Sequence, residues 1–383
     1  MRPDTVLSNI ENNRDNAFEM LKSIVNIDSY THDKESVKNV QDQICNYLNE
    51  LNISFERIEN ESYGDHIIAT IKGTKEGKVL MMGHCDTVFP SGTVSERPYS
   101  EDAEYAYGPG VSDMKSGVVS MIFVASAIQE ANIDFFDIEL LITPDEEYGS
   151  PVSKPIIEER AKDATAVFNL EAGRPDGRVV TSRRGSAHFQ FIIEGKASHS
   201  GVDYDGGVSA IEELAYKVIE LKKLNNTEKG VNVNVGLVKA GKNTNMVAPF
   251  AEGSIHVSYM TNKIFKELKD EMHTIFNTSY ISGTKGYLTG GKGILPMERI
   301  DGVSNLYNIV KDEAEKLNID LDEKDERGAA DAGFVASIGV PVICAMGPVG
   351  GNWHRDTEYM VKKSFMPRMK LLAKSVLNID QIK

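Results

Sequence analysis

Long apolar runs are missing from this sequence. None approaches the roughly 18 residues that a membrane-spanning helix needs, and the longest, residues 117–128, contains two serines and reads as a buried helix. Cysteine is scarce as well. Cys45, Cys85 and Cys344, in 383 residues, make no disulfide framework, which fits a reducing compartment. The opening Met1-Arg2-Pro3-Asp4 has no basic-then-apolar leader, so cytoplasmic residence is expected. Positive charge is in deficit: 42 lysines and arginines face 57 acidic residues, for a net charge of −15. That excess argues against nucleic acid or an anionic membrane as a partner. No internal repeat or low-complexity tract occurs. The 41% hydrophobic and 26% charged residues are those of a globular protein, and the length suits two or three domains of about 150 residues.

Residues 4–30 and 34–52 repeat apolar side chains at helical spacing. Strand-like runs follow at 67–71 and 79–82, the second ending at Gly83-His84-Cys85-Asp86. A helix is predicted over 116–129, then an apolar strand over 138–142 that runs into Thr143-Pro144-Asp145-Glu146-Glu147. A helix over 152–161 leads to a short strand, 166–170, ending at Glu171. Such alternation of apolar strands with helices indicates an α/β domain whose sheet is covered on both faces. After Gly177 the pattern becomes β-α-β-β-α-β, a small open sheet with two helices on one face. The α/β pattern returns after Gly291. The expected organisation is a discontinuous catalytic domain, 1–182 and 293–383, interrupted by an inserted domain, 183–292.

The chemically informative residues sit where predicted strands end, which is where open α/β sheets bind ligands. In Gly83-His84-Cys85-Asp86-Thr87-Val88, His84 is a potential metal ligand and Asp86, on the same side of an extended chain, a potential partner for its second nitrogen. In Tyr107-Gly108-Pro109-Gly110-Val111-Ser112-Asp113-Met114, Asp113 stands just before a helix. It either caps that helix or uses its two oxygens to bridge two metal ions. Glu146 and Glu147 follow a buried strand, where unpaired charge is costly; in extended chain they face opposite ways, one to ligate and one to face substrate. Glu171 closes another apolar strand, and His354 lies in Gly350-Gly351-Asn352-Trp353-His354-Arg355-Asp356. Two histidines and three carboxylates suit Zn²⁺, with Mn²⁺ or Co²⁺ as alternatives.

This ordered set, together with Gly195-Lys196-Ala197-Ser198-His199-Ser200-Gly201, resembles the di-zinc metallopeptidase family that contains aminoacylase, glutamate carboxypeptidase, peptidase T and succinyl-diaminopimelate desuccinylase. The likeness spans essentially the whole chain, and the Tyr-Gly-Pro-Gly approach to Asp113 is most similar to the glutamate carboxypeptidases. The resemblance implies a three-layer α/β catalytic domain with a mixed, mostly parallel sheet and an inserted ferredoxin-like α+β lid and dimerisation domain. It implies two Zn²⁺ per subunit, one held by His84, Asp113 and Glu171 and the other by Asp113, Glu147 and His354. Glu146 would be the general base and Asp86 would orient His84. His199 would stabilise the oxyanion from across a homodimer interface, and Asn245 would contact substrate.

Two positions depart from the family. Ser258 in His256-Val257-Ser258-Tyr259 stands where a lid arginine often clamps a substrate carboxylate; Arg183, Arg184, Lys263 and Arg327 are the candidate replacements. The glycine-rich substrate loop is shortened to Arg327-Gly328-Ala329-Ala330-Asp331, in which Gly328 and Asp331 are the expected substrate contacts. Both departures touch recognition and leave the metal chemistry alone. The expected activity is amide hydrolysis of a small peptide or N-acyl amino acid, carboxypeptidase-like, with N-acyl-amino-acid deacylation as the alternative. A non-catalytic homologue that only binds metal or a small ligand is a further alternative, and the retention of every ligand and of Glu146 speaks against it.

Overall fold

Short apolar runs form a central sheet whose strand ends carry the acidic and histidine residues. A computed structural model describes residues 2–382; Met1 and Lys383, the outer limits of the expected catalytic segments, lie outside the described residues. Two compact units are present. The first runs to Ser182 and resumes over Arg299–Glu326 and from Ala330; the second comprises Arg183–Glu298 and Arg327–Ala329.

In the first unit six strands lie in the order Ser54–Ile58, His66–Ile71, Phe136–Thr143, Lys75–His84, Ala166–Asn169, Val342–Ile343. The last four run parallel, and only His66–Ile71 is antiparallel to its neighbours on both sides, so the sheet is mixed and mostly parallel. Val79, Leu80, Met81 and Met82 point alternately to opposite faces, yet none exceeds 1% exposure. Both faces are therefore covered. Since Phe136–Thr143, Lys75–His84 and Ala166–Asn169 are parallel neighbours, their carboxyl ends open on one edge of the sheet.

The helix Ser116–Glu130 packs against this sheet and is buried through Ile128. Gly117 lets it come close, because a Cβ there would meet the Leu170 carbonyl oxygen at 2.0 Å. Counted with the turn before it, Val111–Glu130 is long and apolar enough to cross a membrane, more than the uninterrupted runs suggest. Inside the protein 94% of its most apolar stretch is buried, so the core uses this hydrophobicity. The helical pattern near the N-terminus is two helices, Arg2–Asn12 and Arg14–Val25. They part at Asn13, whose backbone N–H and side-chain amide both donate to the Asn9 carbonyl at 3.1 Å.

The second unit has strands Gly185–Glu194, Asn232–Ala240, Phe250–Tyr259 and Lys285–Lys292 and helices Ala210–Lys223 and Asn262–Asn277. The antiparallel sheet order places Phe250–Tyr259 and Gly185–Glu194 in the centre, a ferredoxin-like α+β arrangement. Ala187, Phe189, Phe191 and Ile193 alternate into a core with Leu221, Met272 and Phe276 of the helices. Ser186, His188 and Gln190 face the other way. Ser209 and Thr261 cap the two helices through Glu212 N–H (3.2 Å) and Ile264 N–H (3.1 Å).

One buried histidine of the first unit carries a pH signature. His66, 1% exposed, has its Nε2 2.8 Å from Ser153 Oγ, and burial pushes its pKa down to about 4. The unfolded imidazole, near about 6.5, takes up a proton first. This contribution to stability is therefore complete above the unfolded pKa and is lost as pH falls through that value towards 4. His66→Gln is expected to flatten the change in urea midpoint between about pH 7 and 5; a slope equal to that of wild type contradicts it.

Candidate metal centre

His84 ends the strand Lys75–His84, and Glu146 and Glu147 follow Phe136–Thr143 in a tight 3₁₀ turn, Glu146–Tyr148. The extended conformation expected for the two glutamates is not formed. Gly149 closes the turn in the left-handed region (φ 86°), and the Asp86 carboxylate accepts from the N–H groups of both Glu146 and Glu147 at 3.3 Å. Glu171 lies just beyond Ala166–Asn169. Asp113 stands at φ −112°, ψ 93°, outside the helical region, before a cis peptide to Met114. No side chain caps the following helix, so Asp113 does not act as its cap.

The Asp113 carboxylate instead lies between two imidazoles. Its Oδ1 is 3.4 Å from His84 Nε2 and its Oδ2 is 3.4 Å from His354 Nε2. His84 Nε2 is also 3.8 Å from Glu171 and 4.0 Å from Glu146, and His354 Nε2 is 3.0 Å from Glu147. Ligand atoms of His84, Glu146 and Glu171, and likewise of His84, Asp113 and Glu147, lie within 4.8 Å of one another. His84 Nδ1 faces the carbonyl (3.1 Å) and carboxylate (3.3 Å) of Asp86. Both are acceptors, so Nδ1 carries the proton and Nε2 presents a lone pair. That Nε2 is buried and has no hydrogen-bond partner, which suits a nitrogen whose lone pair is directed at a metal.

Charge in the cluster is unbalanced. Burial, then the neighbouring Glu171, holds the Glu146 carboxyl well above the ordinary range. Burial, then Asp113, pushes Glu147 up to about 7, and burial pushes Asp331 up to about 8. The reverse holds for His354, which Asp113 and Glu147 raise to about 10. Burial opposes the charge on Asp113, but His354 and His84 outweigh it and keep the carboxyl low. Two imidazoles serve five carboxylates here, Asp113, Glu146, Glu147, Glu171 and Asp331, and divalent cations are the complement such a donor set fits.

Behind these residues lie supports that sequence reasoning did not single out. Thr31 donates to Asp86 at 2.7 Å. The buried Asp145 accepts from Val152 N–H (2.8 Å) and from the Ser153 hydroxyl, which also meets His66. Glu358, fully buried, accepts from the N–H groups of Gly110 (3.0 Å), Ser112 (2.8 Å) and Asp113 (2.9 Å). The one sequence signal for Glu358 was its place four residues after His354.

Among the expected substrate contacts, Asp331 lies in the first unit, buried and accepting from the Ser150 hydroxyl. Gly328 lies in the second unit, where its carbonyl accepts from Arg183 Nη1 at 2.9 Å. His199 and Asn245 are both exposed in the second unit, on loops joined by Ser200 N–H to the Asn245 carbonyl (3.0 Å) and Val247 N–H to the Ser198 carbonyl (3.0 Å). His199 Nδ1 accepts from Gly201 N–H at 3.2 Å, which leaves Nε2–H as the free donor.

A family model described as peptidase family M20/M25/M40 matches residues 80–378. Carboxypeptidase G2 of Pseudomonas sp. (strain RS-16) is 28% identical over 364 residues, covering 92% of this chain and 86% of that protein. Succinyl-diaminopimelate desuccinylase of Wolinella succinogenes is 26% identical over 331 residues, covering 78% of this chain and 84% of the relative. Among solved structures, aminopeptidase PepT from Bacillus cereus shares the fold with a TM-score of 0.81 at 21% identity, covering 96% of this chain and 99% of that one.

Proposed function

The chain belongs to peptidase family M20/M25/M40 and is an enzyme that hydrolyses peptide or other amide bonds; from that premise we propose a di-metal hydrolase cleaving the amide of a small peptide or N-acyl amino acid. One arrangement carries the reading: the Asp113 carboxylate between two histidines, each beside a further glutamate. His84, Asp113 and Glu171 would hold one ion and Asp113, Glu147 and His354 the other. Zn²⁺ is the proposed metal, with Co²⁺ or Mn²⁺ as substitutes. Two such ions would supply Lewis-acid polarisation of the scissile carbonyl and acidify the attacking water.

The remaining steps belong to side chains. Glu146 takes a proton from water as it adds to the carbonyl and returns it to the leaving amine. Asp86 fixes the His84 tautomer, and its carboxylate also pins the Glu146 turn. His199, through Nε2–H, is assigned to the developing oxyanion, Asn245 to the substrate amide, and Gly328 and Asp331 to the rest of the substrate.

Residues 183–292 are read as a lid and dimerisation domain. Support comes from the edge strand Asn232–Ala240, which exposes Leu237 (69%) and Val238 (52%), a liability that pairing with a second copy removes. Cytoplasmic residence rests on the three free cysteines. For the substrate carboxylate we assign Arg184. Arg183 is committed to Gly328, Arg327 has a partner of its own, and Lys263 is exposed in the first turn of its helix. Arg184 makes no ion pair among the described residues. With the Asn232 side-chain amide turned so that its hydrogen bonds are satisfied, its oxygen accepts from Arg184 Nη1 at 3.0 Å, and the same amide group stands 3.3 Å from Ser258 Oγ.

A panel of dipeptides, N-acyl amino acids and their carboxamides tests both statements. Hydrolysis is expected to vanish on chelation and return with Zn²⁺; hydrolysis that survives chelation contradicts the metal reading. Arg184→Ala is expected to weaken kcat/KM for free acids by about 10- to 100-fold and leave carboxamides unchanged. Equal losses on both would sink the carboxylate assignment alone.

A further inference from the structure

We propose that Glu358 is the positioning residue that holds Asp113 between the two imidazoles, so that one buried carboxylate sets the spacing of the metal site. The inference rests on Asp113 being a shared ligand. Glu358 is 0% exposed and makes no ion pair among the described residues. Its Oε1 accepts from Ser112 and Asp113 N–H and its Oε2 from Gly110 N–H. Three backbone donors aimed at one carboxylate form an anion-binding nest filled by the chain itself. Such convergence needs the loop to fold back, and Gly108 (φ 143°) and Gly110 (φ 73°) supply backbone conformations that a side chain would strain.

The other end of Glu358 is fixed as firmly. Four residues before it stands His354, and the strand directly after it, Tyr359–Val361, pairs antiparallel with Tyr105–Tyr107, the strand leading into the Asp113 loop. Trp353 Nε1 adds a bond to Ser112 Oγ at 3.2 Å. The segment that carries His354 thus grips the loop that carries Asp113 from both sides of the 3.4 Å His354–Asp113 approach. A group that only stabilised the fold would have no reason to converge on the amide of the ligand residue itself.

Glu358→Gln keeps the volume but offers one acceptor oxygen and turns N–H groups towards N–H groups. Expected are a 10- to 100-fold loss of Zn²⁺ affinity in competition with a chromophoric chelator and an altered visible spectrum of the Co²⁺-loaded protein. Glu358→Asp, which keeps the charge and withdraws it by one methylene, is expected to fall between the two and carries the test should the glutamine variant not fold. Val310→Ala, a cavity variant in the core of the same unit, controls for stability and should leave metal affinity and spectrum unchanged. Wild-type affinity and spectrum in the Glu358 variants, or an equal loss in Val310→Ala, overturn the positioning role. A wild-type chain that binds no divalent ion overturns the metal-site reading beneath it as well.

Discussion

Glu146→Gln is expected to retain metal and lose turnover, with kcat falling by about 10²–10⁴-fold, the range for removing a positioned general base. Glutamine matches glutamate in shape, so the turn Glu146–Tyr148 and its two N–H bonds to Asp86 persist. What disappears is the ability to accept a proton. Distance alone does not set Glu146 apart, since it lies 4.0 Å from His84 Nε2 and the assigned ligand Glu171 3.8 Å, so the metal content of the variant is what separates a base from a ligand. A variant that keeps its metal and more than a tenth of wild-type kcat would remove Glu146 from the mechanism. One that loses metal as well would move it among the ligands.

Asp113→Ala should have the largest effect on metal binding, because in the proposed site this one ligand would serve both positions. The loss should exceed the about 10–100-fold seen on removing outer-shell partners. It can be read without any substrate. Free metal at a thousandfold excess over its Kd stabilises a protein by about 4 kcal/mol, so Zn²⁺ should raise the wild-type melting temperature and leave that of Asp113→Ala nearly unchanged. In the metal-free state the two should melt close together, since Asp113 attracts both histidines but also repels Glu147. A variant that still melts higher with Zn²⁺ would show that the metals do not depend on Asp113.

How much of this was legible in the sequence follows the range of the interactions. His84, Glu146, Glu147 and Glu171 stand out because each ends an apolar run, a local signal that survives without a structure. The fate of Asp113 was open, since capping and bridging place an aspartate at the same point before a helix, and only tertiary placement of two histidines decides. Extended alternation misled at Glu146 and Glu147, where Gly149 and the Asp86 carboxylate fold the chain into a tight turn. Glu358, marked only by its place four residues after His354, was missed for a different reason. Its partners are backbone N–H groups some 245 residues away, and backbone donors leave no trace in side-chain spacing. Arg184 was legible only as one of four candidate replacements, because its place beside Ser258 depends on the side chain of Asn232 on a neighbouring strand.

The account stands on two divalent ions sharing Asp113, and anomalous scattering from a crystal of the Zn²⁺-loaded protein, collected across the zinc edge, tests it most directly. Two peaks are predicted about 3.5–4 Å apart, one on each side of the Asp113 carboxylate, the first beside His84 and Glu171 and the second beside Glu147 and His354. A single peak, or two peaks that do not share Asp113, would contradict it.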